Sequence, residues 1–505
     1  MKAILSVYDK TGLSDFARGL RELGFEIYST GGSRKALEDA GVEVHGVSDL
    51  TGFPEIMDGR LKTLHPGVHG GILANREVPA HMEQLAAQGL APIDLVAVNL
   101  YPFAATIARP GVTVEEAIEN IDIGGPTMIR AAAKNHASVL VVVSPVDYAA
   151  VLDGLRAGEV PLTFRRQLAA AAYAHTAAYD STIAAYTRDL ESAEGWPREY
   201  SVGGARVQEL RYGENPHQAA ALYRVGAAGK GVANAGQLQG IELSYNNIVD
   251  VDAAWDLVQD LPVPSAAIIK HTNPCGVATA GSLADAYQRA YDCDTTSAFG
   301  GIVALNQECD VETARRIITI FVEVVAAPAF SAEALEVFAA KKKLRLLRIE
   351  TAPPAAVLKM VSGGFLVQSP DIDLADRAEM RSVGRREPRE AEWEQLLLAW
   401  RVVKHVKSNA IVLVRDGAAV GVGAGQMSRV ESVRLAAQRA GDRASGSVLA
   451  SDAFFPMPDG VEAAADAGIT AIIQPGGSVK DAEVLAVADD RGLAMVHTGR
   501  RHFRH

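Results

Sequence analysis

Lys270 and His271 stand side by side where the apolar run Ile268-Ile269 gives way to Thr272-Asn273-Pro274-Cys275-Gly276. A lysine ammonium can hold an anion or a developing oxyanion, and histidine has the unperturbed pKa suited to proton transfer near neutral pH. The stretch reads as the end of a buried strand, then a turn and a glycine, opening into a site. A charged residue and a histidine that merely close a strand would look the same. A second set lies in the first half. Lys62 sits in the loop-prone stretch Gly59-Arg60-Leu61-Lys62-Thr63-Leu64-His65-Pro66-Gly67, Tyr101 follows an apolar run, Asp122 precedes Gly124-Gly125-Pro126, and Lys134 lies later in the same helical text. Together they offer proton acceptors, a phenol and two cations. Singly, each is as readily a solvated charge, a loop residue or a cap. His65 and His69 are four apart, but Pro66-Gly67 spoils a helical metal pair and no HExxH glutamate accompanies them.

Other clusters suit anion and ring binding. Thr30-Gly31-Gly32-Ser33 offers bare backbone N–H groups and hydroxyls at a helix start, a geometry that accepts phosphate. Leu210-Arg211-Tyr212-Gly213-Glu214-Asn215-Pro216-His217-Gln218 is denser in anion-binding and stacking side chains than a turn requires. Asn409 in Lys407-Ser408-Asn409-Ala410, and Gln426 and Arg429 in Gly423-Ala424-Gly425-Gln426-Met427-Ser428-Arg429, supply polar contacts beside glycines that permit close backbone approach.

Such side chains need a scaffold, and the first 199 residues supply an α/β one. Ala3–Val7, Glu26–Tyr28, residues 94–100 and residues 138–143 read as strands, and Leu13, Phe16, Ala17, Leu20 and Leu23 recur at helical spacing. That alternation predicts a parallel sheet with ligands at the carboxyl ends of its strands. The Ser-, Gly- and Pro-containing text around 191–204 marks the main boundary, giving domains 1–199 and 200–505. In the second, Ser297-Ala298-Phe299-Gly300-Gly301 is echoed by Ser451-Asp452-Ala453-Phe454-Phe455-Pro456, and Val324–Pro328 by Ala471–Pro475, which suggests an internal duplication.

Bulk composition narrows the function. The 505 residues carry 49 basic and 61 acidic side chains, a formal net charge of −12, which argues against broad nucleic-acid or membrane-surface binding. Three cysteines are too few and odd in number for a disulfide framework, and no apolar run approaches membrane-spanning length, so a cytoplasmic protein is expected.

The assembled motifs resemble the bifunctional purine-biosynthesis enzymes that join AICAR formyltransferase to IMP cyclohydrolase. They run the length of the chain: SVxDKTG at Ser6–Gly12, STGGS at Ser29–Ser33, GRLKTLHP at Gly59–Pro66, NLYPF at Asn99–Phe103, IDIGGPT and AAAKNH between Ile121 and His136, then LRYGENPHQ, KHTNPCG, SAFGG, KSNA, GAGQMSR, SDAFFP and the terminal Arg501-His502-Phe503-Arg504-His505. The resemblance implies a methylglyoxal-synthase-like N-terminal domain with cyclohydrolase activity and a C-terminal formyltransferase of two cytidine-deaminase-like subdomains. It further implies a homodimer, with AICAR, FAICAR and a reduced folate as small-molecule partners and 10-formyltetrahydrofolate as formyl donor. It implies no catalytic metal and leaves room for a structural monovalent cation.

By the same resemblance His271 is the general base and Lys270 stabilises the oxyanion or protonates the leaving group. Asn409 holds the reacting group. Arg211, Tyr212, Phe299, Gly300, Gln426, Arg429, Phe454 and His505 line the substrate pocket. Lys62, Tyr101, Asp122 and Lys134 carry out ring closure, with Ser6, Lys10, Thr30, Gly31, Gly32, Ser33 and Arg60 seating the nucleotide. Tyr8 departs from the family's usual SVSDKTG and puts one phosphate-loop hydroxyl in doubt. A zinc deaminase is the rival enzyme, but Pro274-Cys275 lacks the second cysteine of P-C-x-x-C and His271 lacks the glutamate of H-x-E.

Overall fold

The computed structural model describes residues 1–54, 56–57, 61–190, 195–226 and 229–505. The chain forms two compact units, Met1–Ala205 with Tyr223–Ala228, and Arg206–Leu222 with Gly229–His505.

The first unit is built on five parallel strands: β1 (Lys2–Val7), β2 (Glu26–Ser29), β3 (His45–Gly46), β4 (Leu95–Asn99) and β5 (Leu140–Val142), in the order β3-β2-β1-β4-β5. Four match the runs read from sequence. The two-residue edge strand β3 has no apolar run of its own and went unread. Helices cover both faces, so Ile4, Leu5, Ile27, Val96 and Val141 are fully or almost fully buried, as expected of near-continuous apolar strands in a parallel sheet. The order reverses at β1/β4, and the crevice outside their carboxyl ends is the place where such sheets bind ligands. Strands β6 (Gly204–Leu210) and β7 (Ala220–Val225) lie where the division between the units runs.

The second unit holds one mixed sheet made from β8 (Gly236–Gln239), β9 (Ser265–Lys270), β10 (Asn273–Thr279), β11 (Ile302–Leu305), β12 (Val324–Ala327) and β13 (Arg345–Arg348), then β16 (Arg381–Ser382), β17 (Ile411–Arg415), β18 (Ala418–Gly423), β19 (Val448–Ser451), β20 (Ala471–Gln474) and β21 (Ala494–His497). Between the two sets a separate hairpin, β14 (Val357–Val361) with β15 (Gly364–Gln368), stands out exposed. The order β8-β13-β12-β11-β9-β10 meets β18-β17-β19-β20-β21-β16, so the sheet reads alike from both ends. At its centre β10 and β18 pair antiparallel through Ala278 and Ala418. The second sequence echo occupies matching ranks, β12 and β20. The first does not: Ser297–Gly301 leads into β11, whereas Ser451–Pro456 ends and follows β19, the strand of matching rank.

Alternation along the central strands assigns side chains to opposite faces. Ala267 and Ile269 of β9 join Val412 and Val414 of β17 in one core shared by both halves, with Trp255 and Trp400 from the helices above it. On the other face Ala266 and Ile268 belong to one core and Ile411 and Leu413 to another. There, helices Leu283–Cys293 and Arg429–Ala440 lie directly on the two central strands. A Cβ at Gly276 of β10 would overlap the Ala290 carbonyl oxygen, and one at Gly421 or Gly423 of β18 would overlap that of Ala436 or Ser432. Backbone oxygens of packed helices cannot yield as a flexible side chain would. Gly421→Ala is therefore expected to destabilise the second unit by about 1–3 kcal/mol or more through overpacking, read as an earlier denaturant transition in the fluorescence of Trp255, Trp393 and Trp400.

Candidate functional site

At the carboxyl ends of β1 and β2 the hydroxyls of Ser6 and Thr30 lie 3.0 Å apart, leaving one proton free to reach outward. Ser33 is committed inward: its Oγ accepts from the Val7 amide and donates to the Val7 carbonyl, both at 2.8 Å, tying helix Gly31–Asp39 to β1. It therefore cannot donate to a phosphate. The open N–H groups of Gly31 and Gly32 remain at the helix start, and a Cβ on Gly32 would be 3.8 Å from Lys10 Nζ. This lysine donates to the Tyr8 carbonyl at 3.2 Å. Tyr8 contributes no hydroxyl where a serine would; its ring stands half exposed, 5.6 Å from that of Tyr101. Asn99 joins the ends of β1 and β4 by accepting from the Tyr8 and Asp9 amides at 2.7 and 2.9 Å.

Asp122 is the buried acid of this unit. Its Oδ1 accepts from the Gly125 amide at 2.8 Å, and its own amide donates to the Tyr179 hydroxyl at 2.8 Å. Burial pushes its pKa above the ordinary 3.8, against the pull of the Gly125 amide and the nearby Lys62 charge. Lys62, Tyr101, Asp122 and the Thr30 loop thus share the strand-end crevice. Lys134 does not join them. It closes helix Gly124–Lys134, which starts two residues after Asp122 and returns to the amino edge of the sheet, roughly 15 Å away at 1.5 Å per residue. Arg60 lies outside the described residues. Tyr179 escaped notice because it sits within the long helix Leu162–Leu190, where an isolated phenol has no motif around it.

In the second unit, Lys270 and His271 close β9, but the chain does not leave the sheet there. His271 and Thr272 have φ of 53° and 61° and form a two-residue turn, after which β10 resumes at Asn273. The expected turn at Asn273-Pro274 is thus strand, because the missing Pro274 N–H falls at a register shift between Pro274 and Gly276. Both turn amides donate to Asp250, His271 at 3.3 Å and Thr272 at 2.7 Å. Lys270 Nζ donates to the Phe299 carbonyl at 2.8 Å, beside Gly300. Asn273 Oδ1 accepts from the Lys407 amide at 3.0 Å, and Gly425 donates to the Lys407 carbonyl at 2.8 Å, which brings the loops of the other half to the turn.

Asn409 there donates from Nδ2 to the Gln426 carbonyl at 2.9 Å and accepts at Oδ1 from Arg429 at 2.8 Å. One amide proton and one lone pair remain for a ligand. Arg429, expected at the substrate, is buried and pairs with the buried Asp452 and Ser451, so it orients Asn409 from behind. Phe454 follows Asp452 closely, and the terminal segment is tied down: the Arg504 carbonyl accepts from the Ser408 amide at 2.9 Å, while His505 packs against Phe503 at 5.6 Å. A cavity of about 340 Å³ is lined by Lys270, His271, Asn273 and Gln426, with Arg439 and Asp294 among its other walls. Cys275 also faces it, but burial pushes its thiol up to about 12, which disfavours a thiolate nucleophile or ligand.

The Arg211-Tyr212 loop contains a cation–π pair at 5.8 Å and meets the helix Tyr245–Gln259 through Asn246 Nδ2 and the Glu214 carbonyl at 3.4 Å. Ser244 and Asn247 form the capping box of that helix.

Two families match the chain: one described as AICARFT/IMPCHase bienzyme over residues 132–439, and one described as MGS-like domain over residues 12–127. The chain is 56% identical to the bifunctional purine biosynthesis protein PurH of Cereibacter sphaeroides across 100% of its own length and 98% of that protein. It is 55% identical to the PurH proteins of Bacillus subtilis and Bacillus cereus, across 100% of this chain and 99% of each.

The raised pKa of Asp122 has a stability consequence. A folded-state pKa above the unfolded one means the ionised form costs stability at neutral pH, and that cost vanishes once pH falls below the unfolded value. Asp122→Asn is expected to raise the thermal midpoint at pH 7 but not near pH 3; an unchanged midpoint at pH 7 contradicts the assigned burial.

Proposed function

This chain belongs to the AICARFT/IMPCHase bienzyme family and catalyses AICAR formyl transfer and, as IMP cyclohydrolase, the ring closure that forms IMP, the last two steps of IMP synthesis, and we propose how its two units divide that work. Formyl transfer falls to the second unit and ring closure to the first, following the expected division at residues 199 and 200. The observation that carries this reading is the Lys270-His271 turn, which opens on a cavity beside Asn409 and Gln426.

The reaction uses a formyl-folate donor, which we take to be 10-formyltetrahydrofolate. The 5-amino group of AICAR is a weak nucleophile because its lone pair is delocalised towards the carboxamide. His271, exposed at the tip of the turn, accepts the proton lost as nitrogen attacks the formyl carbon. Lys270 spends one N–H on Phe299 and keeps two for the oxyanion or the departing folate nitrogen. Asn409 offers its free amide proton to the formyl or carboxamide oxygen. Arg211 and Tyr212 bind the nucleotide, Phe299, Gly300, Gln426 and Phe454 shape the pocket, and His505 contributes from the anchored tail.

Ring closure needs the carboxamide nitrogen of FAICAR to reach its own formyl carbonyl, and a binding site that folds the substrate removes much of the entropic barrier. Lys62 stabilises the carbonyl oxygen, and Asp122 with Tyr101 moves protons at the amide and the leaving hydroxyl. Ser6, Lys10, Thr30 and the amides of Gly31 and Gly32 seat the phosphate. Ser33 positions that loop. Lys134 acts at this site only if another chain supplies it, since its own helix carries it away.

A homodimer accounts for the β14–β15 hairpin, where Met360 is 76% and Leu366 60% exposed on its two faces; exposed apolar surface of this kind marks an interface. The free cysteines suit a reducing compartment such as the cytoplasm, and among the described residues no helix is long and apolar enough to cross a membrane. The two halves of the sheet are read as one duplicated unit. Met360→Asp with Leu366→Asp should shift the sedimentation coefficient to that of a monomer; an unchanged dimer would place the interface elsewhere.

Removal of His271 (His271→Ala) is expected to slow formyl transfer by about 10²–10⁴-fold while supplied FAICAR is still closed to IMP. Lys62→Ala is expected to do the reverse. Loss of both activities in either folded variant would defeat the two-site division.

A further inference from the structure

The geometry points to Asp250 as the positioning residue for formyl transfer: its carboxylate holds the His271-Thr272 turn in the conformation that aims the catalytic pair. The inference rests on the role proposed above for His271.

Two-residue hairpin turns with positive φ at both central positions are dominated by Asn-Gly and Gly-rich pairs, because a Cβ is crowded there. Here the positions hold His271 at 53° and the β-branched Thr272 at 61°, conformations that persist only when the surroundings over-determine them. The amides of the two central residues have no partner within such a turn, since the hairpin bond closes between the flanking residues. Asp250 accepts both, at 3.3 and 2.7 Å. Charge-assisted bonds to a carboxylate are stronger than neutral ones, so an aspartate is suited to offset the unfavourable backbone.

Asp250 is itself fixed. It lies on helix Tyr245–Gln259, which is started by the Ser244/Asn247 capping box and packed onto the shared core through the buried Val251, Trp255, Leu257 and Val258. The same helix meets the Arg211-Tyr212 loop at Asn246. One rigid element therefore sets both the reacting pair and the loop proposed to bind the nucleotide. The matching turn in the other half, Asp416-Gly417, has φ of 53° and 77°; it uses a glycine and carries no lysine–histidine pair. Its Asp416 amide is bonded by the neutral Gln395 side chain at 2.9 Å. The carboxylate occurs at the turn that carries the chemistry.

The test measures formyl transfer and FAICAR cyclisation on the full-length protein for Asp250→Ala, Asp250→Asn, Thr272→Gly, Asp250→Ala with Thr272→Gly, and His271→Ala. A misaimed turn should lower kcat for formyl transfer about 10–100-fold in Asp250→Ala with KM for AICAR changed less than about threefold. Cyclisation should be unchanged, which also reports that the chain is folded. Glycine adopts positive φ without a Cβ penalty, so Thr272→Gly should recover about fivefold or more in the Asp250→Ala background and change formyl transfer less than about twofold alone. Asp250→Asn, which keeps the shape but turns an amide donor towards the turn, should fall between the two. A kcat near that of the unsubstituted protein in Asp250→Ala, or a loss that Thr272→Gly leaves untouched, overturns the inference when His271→Ala is inactive in formyl transfer. Full formyl transfer by His271→Ala would remove the underlying reading and the inference with it.

Discussion

A positive φ is costly for a residue with a Cβ, and in this protein two such residues form the turn that carries the histidine proposed to react. The positive φ of His271 and Thr272 costs about 1–3 kcal/mol for each residue, and the half-buried Thr272 amide would lose its partner without Asp250. One carboxylate on a neighbouring helix answers both demands. The turn can then be short, tip His271 into the cavity and return directly into β10, which is the strand that joins the two halves of the sheet. That pair of hydrogen bonds holds the turn that links β9 to β10.

The near-palindromic sheet gives the unit two hairpin tips pointing in opposite directions, and the side chains around them have diverged. At one tip, loops from the other half bring Lys407, Asn409 and Gln426 close, with Arg429 and Asp452 buried behind them. Removing one member of a buried ion pair leaves an unpaired charge, which is strongly destabilising; the pair thereby fixes Asn409 instead of contacting ligand. In the first unit a similar economy holds. Ser33 spends its hydroxyl on β1, so the anion seat proposed here consists of backbone amides, one remaining hydroxyl proton and Lys10.

Much of this was legible in the sequence where the physics is local. Four strands of the parallel sheet, the glycine loop and the motif clusters followed from apolar runs and turn chemistry, and Val324–Ala327 and Ala471–Gln474 proved to hold matching ranks. What failed depended on distant partners. His-Thr is not a hairpin dipeptide by propensity; it becomes one because Asp250, 21 residues before His271, accepts its amides. Pro274 signalled a break, yet a register shift accommodates it. Lys134 was grouped with Asp122 by motif proximity, although a helix between them carries it to the opposite edge. Arg429 looked like a ligand contact because a sequence shows charge but not burial. Tyr179 bears on Asp122 from a helix with no motif.

The central claim is that two complete and separate sets of groups perform the two reactions, connected by a diffusible product. Mixing equimolar His271→Ala and Lys62→Ala proteins with AICAR and the formyl-folate donor, and following FAICAR and IMP over time, tests it directly. The account predicts a rise of FAICAR, a lag, and then IMP formation that neither protein achieves alone. IMP formation no greater than the sum of what the two proteins form separately, while the His271→Ala protein still cyclises added FAICAR by itself, would contradict it.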